Sequence, residues 1–128
     1  MIADSSALVA IVIEERGFEP LWEKIVTDGG AGAGAPTLLE AGMVLRSRLG
    51  PAGRTLLEAA LDELSIRALP FGAEHWPVAL DAFTRFGKGR HPAGLNLGDC
   101  LTYAVAKLAR ESLLCLGDDF AQTDLQLA

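Results

Sequence analysis

The sequence contains few cysteines, and their placement excludes two kinds of site. Only two cysteines occur in 128 residues, Cys100 and Cys115, and both lie within apolar segments. We therefore expect small buried hydrophobic residues in a reducing compartment rather than a disulfide framework. The two cysteines and two histidines show neither CxxC nor HxxH spacing, which disfavours a sulfur-based metal site.

Long hydrophobic runs and aromatic residues are also scarce. No apolar stretch is long enough to span a bilayer, and no charged segment followed by an apolar one indicates a signal peptide. We therefore expect a cytoplasmic protein with no membrane partner. Because aromatic residues make up 6% of the chain and hydrophobic residues 50%, the core must depend on alanine and leucine, which favours helices. Residues 1–128 are predicted to form a single domain.

The net charge of −6, taken alone, disfavours a nucleic-acid partner, but the basic residues are grouped. One group lies in a segment, residues 82–98, that contains no acid, and consists of Arg85, Lys88, Arg90 and His91. A second group consists of Arg46, Arg48 and Arg54. Several acids combined with local basic patches are what a metal-dependent phosphodiesterase requires, although surface charges also group in this way by chance.

Short apolar strands alternate with amphipathic helices along the chain. Strands are predicted at Met1–Ala3, Ala31–Ala35, Ser65–Leu69 and Ser112–Leu116. Helices are predicted at Ser5–Ile13, Phe18–Thr27, Pro36–Leu49, Ala52–Leu64, Ala73–Phe86 and Leu97–Arg110. The segment GGAGAGAP fits either a flexible break or a loop leading into a short buried strand. The alternation predicts an α/β fold with a parallel sheet, in which ligands bind beyond the carboxyl ends of the strands.

Acidic residues fall where predicted strands end or where the following helices begin. Asp4 follows the first strand, Glu40 lies one turn into the helix after the second, and Asp99 opens the last helix. Asp118 and Asp119 follow the last strand. Carboxylates gathered at one edge of a sheet repel each other unless a cation neutralises them. For ligands that are all oxygen, the natural cation is Mg²⁺ or Mn²⁺.

Helix capping also explains each acid when it is considered alone. Asp4 can cap the first helix, and Thr37 with Glu40 has the spacing of a capping box. Asn96 with Asp99 is a looser version of the same box. Capping does not explain why all these acids share one side of the sheet.

The last helix carries an apolar stripe that we expect to face the core, formed by Leu97, Leu101, Val105 and Leu108. The opposite face carries Asp99, Thr102, Tyr103 and Ala106. Asp99 is therefore expected to point away from the core, toward hydroxyl groups. This direction suits a metal pocket and equally suits solvent.

Four segments, taken in order, match the motifs of a known family. They are MIADSSAL at the first strand, APTLLEAGMVL around Glu40, RFGKGRHPAGLNLGDCLTYAVAK around Asp99, and LLCLGDDFAQTDL at the last strand. The chain thereby resembles the PIN domain family and, within it, the VapC-type toxins of VapBC toxin–antitoxin pairs. The resemblance covers nearly the whole chain, and its third segment is the most specific.

The resemblance implies a PIN-like three-layer domain with a short, mainly parallel sheet flanked by helices. It implies an endoribonuclease dependent on Mg²⁺ or Mn²⁺ that cleaves transfer or ribosomal RNA and so inhibits translation and growth. Catalysis and metal binding carry over to Asp4, Glu40, Asp99 and Asp118, with Asp119 as the alternative fourth acid and Ser6 in support. Asp4 and Asp99 are expected to bind metal directly. Glu40 and Asp118 are expected to bind a second ion or to position water.

Partners follow from the same resemblance. RNA backbone is expected to contact Arg85, Lys88, Arg90, His91, Arg46 and Arg48. His91 could instead act as an acid or base, or have no special role. A VapB-type antitoxin, a homodimer and a toxin–antitoxin hetero-oligomer are expected. The candidate contact surfaces lie around Trp22 and around Leu56, Leu57 and Leu61, although such stripes are more often core.

Two other functions compete with this one. A phosphatase-like α/β module with an acidic site would have a DxD motif after the first strand, but the sequence there is Asp4-Ser5-Ser6. A non-catalytic binding module would use its acids only as helix caps. Metal binding and RNA cleavage separate the three.

Overall fold

The computed structural model describes all 128 residues and contains four strands, six α-helices and one short 3-10 helix. The strands are β1 Ile2–Ala3, β2 Ala31–Gly34, β3 Ile66–Leu69 and β4 Leu113–Leu114. The helices are α1 Ser5–Val12, α2 Phe18–Asp28, α3 Ala35–Leu49, α4 Ala52–Glu63, α5 His75–Phe86 and α6 Leu97–Ala109, and the 3-10 helix is Asp119–Gln122. All ten predicted helices and strands are present, with ends that differ by two residues or fewer. No helix has both the length and the apolar character needed to cross a membrane.

The four strands form one parallel sheet in the order β3-β2-β1-β4. Ile2 of β1 is in register with Gly32 of β2 on one side and with Leu113 of β4 on the other. Because all strands run in the same direction, their carboxyl ends lie at one edge of the sheet. The predicted α/β fold with a parallel sheet is confirmed.

Helices cover both faces of the sheet and produce three layers. Neighbouring strand residues point to opposite faces, so Ala3 and Leu114 join the core shared with α1 to α4. Ile2 and Leu113 join the core shared with α5 and α6. The three-layer arrangement that the sequence predicts is therefore present.

Strand β2 alternates alanine with glycine, and each residue type serves a different face. Ala31 and Ala33 are buried in the core on the side of α1 to α4. A Cβ atom at Gly32 would lie 2.8 Å from the Cδ1 atom of Leu69, and one at Gly34 would lie 2.9 Å from the Cγ2 atom of Val105. The glycines therefore allow α6 and a neighbouring leucine to approach the sheet closely. The segment GGAGAGAP therefore contains the buried strand β2 itself and is not a flexible break.

The prediction for the faces of α6 is wrong. Leu97 is 77% exposed and Leu108 is 42% exposed, and of the predicted core stripe only Val105 is fully buried. The buried residues include Thr102, Tyr103 and the alanines beside them. Since α6 lies close against the glycines of β2 and is also covered by α5, its small residues face the protein and its long leucines face outward.

The capping box predicted for Thr37 and Glu40 is also wrong. Helix α3 begins at Ala35 with Gly34 as its N-cap residue, so Thr37 lies inside the first turn. The Thr37 hydroxyl is buried and lies 3.0 Å from the hydroxyl of Thr102 instead. Glu40 is consequently released from a capping role.

Candidate metal centre

Five acids lie at or near the carboxyl edge of the sheet on four different elements. Asp4 follows β1, Glu40 lies on α3 after β2, Asp99 lies in the first turn of α6, and Asp118 and Asp119 follow β4. The charges of Asp4, Asp119 and Glu40 all act on the carboxyl group of Asp99. The fold therefore brings these four carboxylates within electrostatic reach of one another.

Asp4 is buried, and both of its carboxylate oxygens accept hydrogen bonds from hydroxyl or amide donors. Its Oδ2 atom accepts hydrogen bonds from the Ser6 amide at 3.2 Å and the Ser6 hydroxyl at 2.7 Å. Its Oδ1 atom accepts a hydrogen bond from the Thr102 hydroxyl at 2.8 Å. Asp4 thus caps α1, as expected from its position, and is also joined to α6.

Ser6 connects Asp4 to the far side of the site. The Ser6 hydroxyl, which donates to Asp4, accepts a hydrogen bond of 3.0 Å from the amide of Leu116. Leu116 lies just after β4, immediately before the segment that carries Asp118 and Asp119. Ser6 therefore links Asp4 to the backbone after β4, and its supporting role stays a prediction.

Glu40 occupies a space that exists because residue 98 is glycine. A Cβ atom at Gly98 would fall 2.8 Å from the Cδ atom of Glu40 and would collide with its Oε2 atom. The other oxygen, Oε1, accepts a hydrogen bond of 2.6 Å from the Ser5 hydroxyl. The Glu40 carboxylate therefore lies at the N-terminal turn of α6, where the helix dipole favours negative charge. Ser5 and Gly98 were missed by sequence reasoning, although both stand in the motifs that carry the family resemblance.

Asp99 combines a capping role with an unfavourable charge environment. Its amide donates to Oδ1 of Asn96 at 2.9 Å, and its Oδ2 atom accepts from the Asn96 amide at 3.1 Å, which completes a capping box. The Oδ1 atom of Asp99 accepts no hydrogen bond from the protein. Burial raises the pKa of Asp99 to about 6, the Asn96 amide opposes that effect, and the charges of Asp4, Asp119 and Glu40 reinforce it. Capping therefore engages one oxygen and leaves the other available.

The two aspartates after β4 differ in their relation to Asp99. Both are exposed, and Asp118 precedes the 3-10 helix without donating or accepting a side-chain cap hydrogen bond. Of the two, Asp119 is the one whose charge contributes to the raised pKa of Asp99. The fourth acid stays a prediction, and the electrostatics favour Asp119 over the Asp118 that sequence position favours.

The thiol of Cys115 lies within the negative field of the same acids. Burial raises the pKa of its thiol to about 11, and the charges of Asp4, Asp119, Asp99 and Asp118 add to the effect. Both cysteines are free thiols; Cys100 is buried, as the sequence predicts, whereas Cys115 is only half-buried. A thiol with so high a pKa is protonated at neutral pH and is a poor nucleophile or metal ligand.

The donor set fits a hard divalent cation, although its side chains do not enclose one. No three His, Cys, Asp or Glu side chains are close enough together to hold a metal ion as they stand. Mg²⁺ keeps several waters and uses only one or two carboxylates, so it does not require a closed protein cage. The oxygen-only acids and the unfavourable charge at Asp99 are what such a cation would complement.

A different acid, Asp124, lies in a second cluster that sequence reasoning did not assign to the site. Its carboxylate accepts hydrogen bonds of 2.7 Å from the Tyr103 hydroxyl and 2.7 Å from the Lys107 ammonium group, and it lies 3.5 Å from Arg85. Partial burial acts to raise the pKa of Asp124, but the Lys107 and Tyr103 hydrogen bonds and the nearby cations lower it to about 2. Arg85, expected to contact RNA, is thus already paired, and it also lies over the Phe86 ring.

The loop between α5 and α6 presents the remaining basic residues of that segment. Lys88 and Arg90 are exposed, and the Arg90 guanidinium lies 5.2 Å from the centre of the Phe83 ring. The Nδ1 atom of His91 accepts a hydrogen bond of 3.0 Å from the Ala93 amide, so His91 shapes the loop. The loop leads directly into the α6 turn that carries Asp99. Asp99 belongs to the acidic edge, which is the carboxyl edge of the sheet with its acids Asp4, Glu40, Asp99, Asp118 and Asp119.

Arg46 and Arg48 lie in the last turn of α3, and both are exposed. They follow Glu40 by six and eight residues, or about 9 to 12 Å along the helix axis. Both residues are therefore distant from Glu40 along the helix. Their positive charges lie at the C-terminal end of α3, where the negative end of the helix dipole stabilises them. RNA contact by these two residues stays a prediction.

Exposed apolar side chains flank the acids on α3, α5 and α6. A groove lined only by apolar residues consists of Phe71, Trp76, Ala79, Leu80, Phe83, Leu97, Cys100 and Leu101. Leu39 and Met43 extend this surface along the side of Glu40. Of the contact residues expected from sequence, Trp22 and Leu56 are partly exposed, whereas Leu57 is buried.

Comparison with known proteins identifies relatives over nearly the full length. The chain matches the PIN domain family over residues 1–125. It is 46% identical to VapC ribonuclease Mb2004c of Mycobacterium bovis and equally to ribonuclease VapC36 of Mycobacterium tuberculosis, over 98% of this chain and 91% of each relative. It is 38% identical to ribonuclease VapC of Mycolicibacterium smegmatis, over 98% of this chain and 97% of that protein.

Solved structures show the same fold at low sequence identity. VapC20 of Mycobacterium tuberculosis, described as a sarcin-ricin loop cleaving toxin, matches with a TM-score of 0.75 at 16% identity, over 99% of this chain and 97% of that one. PAE2754 of Pyrobaculum aerophilum matches with a TM-score of 0.63 at 21% identity, over 98% of this chain and 81% of that one.

Proposed function

The chain belongs to the PIN domain family and is an endoribonuclease toxin of the VapC type, and we propose that it cleaves RNA with a bound Mg²⁺ ion held by the acids at the carboxyl edge of its sheet. Mn²⁺ has the same ligand chemistry and should substitute. The target is a transfer RNA or ribosomal RNA. Cleavage of either stops translation and growth.

One observation carries the metal proposal. Burial, reinforced by three surrounding acids, raises the pKa of Asp99 to about 6, well above the ordinary range of an aspartate. No cationic side chain forms an ion pair with any of these acids. A divalent cation is the natural complement of such a group.

The acids divide into two roles. Asp4 and Asp99 are the direct ligands, since each has an oxygen with spare capacity as an acceptor. Glu40 and Asp119, or Asp118 in its place, position water or a second ion. When bound, a divalent cation lowers the pKa of water and offsets the charge of the phosphodiester. Ser5 and Ser6 hold Glu40 and Asp4 in their orientations.

RNA binding is assigned to the basic residues around this edge. Lys88, Arg90 and His91 lie in the loop next to Asp99 and are the principal candidates, with Arg46 and Arg48 more distant. Arg85 contributes less, because Asp124 already pairs with it. Backbone contacts of this kind are sensitive to salt and blind to sequence, so RNA shape and unpaired loops set the target.

A VapB-type antitoxin is the expected protein partner, and a homodimer and a toxin–antitoxin hetero-oligomer are the expected assemblies. Exposed leucines and Trp76 beside the site provide apolar surface for such contacts. Light scattering of the purified chain measures the homodimer. A monomer at micromolar concentration would exclude it.

The function is tested by RNA cleavage with and without Mg²⁺. Asp99→Asn keeps the Asn96 cap but removes the carboxylate, and we expect cleavage to fall by about 100-fold or more. Asp124→Asn is the matched control, because it neutralises an aspartate outside the acidic edge. We expect this control to retain cleavage within about threefold.

Two results would contradict the proposal. Equal cleavage by the wild type and Asp99→Asn would remove Asp99 from the site. A flat calorimetric titration with millimolar Mn²⁺, combined with no loss of added RNA, would favour a non-catalytic module whose acids only cap helices.

A further inference from the structure

Two buried threonines lie between the acid-bearing helices. Thr37 on α3 and Thr102 on α6 are 2% and 1% exposed, and their hydroxyl oxygens lie 3.0 Å apart. Thr102 is also 2.8 Å from Oδ1 of Asp4. These polar groups are surrounded by apolar core, where an unpaired hydroxyl would be unfavourable.

The direction of these hydrogen bonds follows from the number of protons available. An ionised carboxylate only accepts, so the single hydroxyl proton of Thr102 must go to Asp4. Thr102 therefore accepts from Thr37, whose own proton is free to be donated. The result is a one-way relay from Thr37 through Thr102 to Asp4, in which each bond polarises the next.

Spacing along the two helices relates this relay to the other acids. Thr37 precedes Glu40 by three residues, and Thr102 follows Asp99 by three residues. Residues three apart lie on the same helix face, one turn from each other. Each threonine therefore fixes the helix turn next to an acid, and both are tied to the third acid, Asp4.

We propose that Thr37 and Thr102 form a hydroxyl relay that orients Asp4 for cation binding and holds Asp4, Glu40 and Asp99 in mutual register. The proposal rests on the metal site of the proposed function. Thr102 is the positioning residue in contact with Asp4, and Thr37 acts through Thr102. Since Oδ2 of Asp4 already accepts two hydrogen bonds from Ser6, Oδ1 is the oxygen with spare capacity, and the relay ends on it.

The experiment measures Mn²⁺ affinity of the full-length protein by calorimetry in the absence of RNA. Thr102→Val keeps the side-chain shape and removes the hydroxyl, and we expect Mn²⁺ to bind about tenfold more weakly. Thr102→Ser restores the donor and should return the affinity to within about threefold of the wild type. Thr37→Val leaves the donor to Asp4 in place, so its loss of affinity should be smaller than that of Thr102→Val.

Tyr103→Phe is the matched control. It removes a buried hydroxyl from the next residue of the same helix, but that hydroxyl donates to Asp124 and not to Asp4. We expect a lower melting temperature with unchanged Mn²⁺ affinity. A purely structural role for Thr102 would make its valine variant behave in the same way.

Three results would overturn the proposal. These are wild-type Mn²⁺ affinity in Thr102→Val, failure of Thr102→Ser to restore a lost affinity, and absence of Mn²⁺ binding in the wild type. The RNA cleavage assay answers a separate question. A wild type that binds Mn²⁺ but cleaves no RNA would contradict the proposed function while leaving the relay intact.

Discussion

Asp99 lies on α6 and Asp124 contacts the same helix, yet their environments shift their pKa values in opposite directions. Asp99 is half-buried among other acids with one amide donor, and its pKa is raised to about 6. Asp124 receives the Tyr103 hydroxyl and the Lys107 ammonium group, and its pKa is lowered to about 2. Neighbouring donors and cations thus compensate the charge of Asp124, whereas the charge of Asp99 has no such compensation.

This difference separates what the fold needs from what the function needs. The charge of Asp124 is compensated within the protein by Arg85 and Lys107, and the cluster joins α5, α6 and the final segment. The acidic edge concentrates charge that the protein does not neutralise, which costs stability and is a hallmark of functional sites. Substitutions in the two clusters should therefore have opposite consequences.

Gly98→Ala is expected to have the largest effect on RNA cleavage, because it disturbs Glu40 at the acidic edge. The new methyl group would displace the Glu40 carboxylate, and a displacement of about 1 Å can reduce catalysis about 100-fold. Gly42→Ala on α3 is the control, since its Cβ atom would meet nothing closer than 3.7 Å. That variant should keep cleavage and gain about 0.5 to 1 kcal/mol from helix propensity. Equal cleavage by both variants would show that the position of Glu40 is unimportant.

Urea unfolding at pH 7 should distinguish the two aspartates by sign. Asp124→Asn is expected to lower the free energy of unfolding by about 1 kcal/mol, after allowance for its partial solvent exposure. Asp99→Asn is expected to raise it by about 1 kcal/mol, because it removes a repelled charge and keeps an oxygen for the Asn96 amide. A loss of stability in Asp99→Asn would contradict the assignment of excess charge to the acidic edge.

The pH dependence of stability should differ in the same way. The folded protein holds the Asp99 proton up to pH 6, whereas the unfolded chain releases it near pH 4, so this group makes stability fall as pH rises from about 4 to 6. Asp124 has a depressed pKa, so its contribution is present above about pH 4 and is lost as pH falls toward 2. The fall in stability between about pH 4 and 6 should disappear only in Asp99→Asn. The loss of stability between about pH 4 and 2 should disappear only in Asp124→Asn.

Substitution of Asp118 and of Asp119 tests which of the two residues contributes to metal binding at the acidic edge. Because Asp119 acts on the pKa of Asp99, Asp119→Asn should weaken Mn²⁺ binding about threefold, an effect typical of an exposed charge. Asp118→Asn should change the affinity less. The reverse order would restore Asp118 as the fourth acid.

Substitutions of Arg85 and Arg90 should have the smallest effects. They should also separate a residue that supports stability from a residue that contacts RNA. Arg85→Gln removes a partner of Asp124 and should lower stability by less than about 1 kcal/mol with little change in RNA binding. Arg90→Gln should leave stability unchanged and reduce the salt slope of RNA binding by about one. RNA binding is measured by fluorescence anisotropy at several salt concentrations. Identical profiles for the two variants would contradict the division.

The sequence predicts the order and bounds of the elements well, because local periodicity and glycine or proline breaks determine them. It also predicts that Asp4, Glu40 and Asp99 lie at one edge, since parallel strands place their carboxyl ends together. It fails for the faces of α6, where close approach to the glycines of β2 overrides the apolar pattern. Hydrophobic periodicity does not reveal which neighbour a helix touches, and so the pattern wrongly predicts that Leu97 faces the core.

Contacts between distant segments account for the rest of what was missed. The pairing of Thr37 with Thr102 joins residues 65 positions apart, and Asp124 meets Tyr103 across 21 positions. Nothing in the local sequence distinguishes these side chains from ordinary polar residues. Only the folded chain shows that Thr102 joins the first pair to Asp4 and that the second pair belongs to a separate ionic cluster.

The alternating alanines and glycines of β2 set how closely the helices can approach the sheet. A methyl group added at Gly34 would lie 2.9 Å from the Cγ2 atom of Val105, so either β2 or the helix that carries Thr102 and Asp99 would have to adjust. Substitutions in β2 could therefore change the geometry of the acidic edge without altering any charged residue.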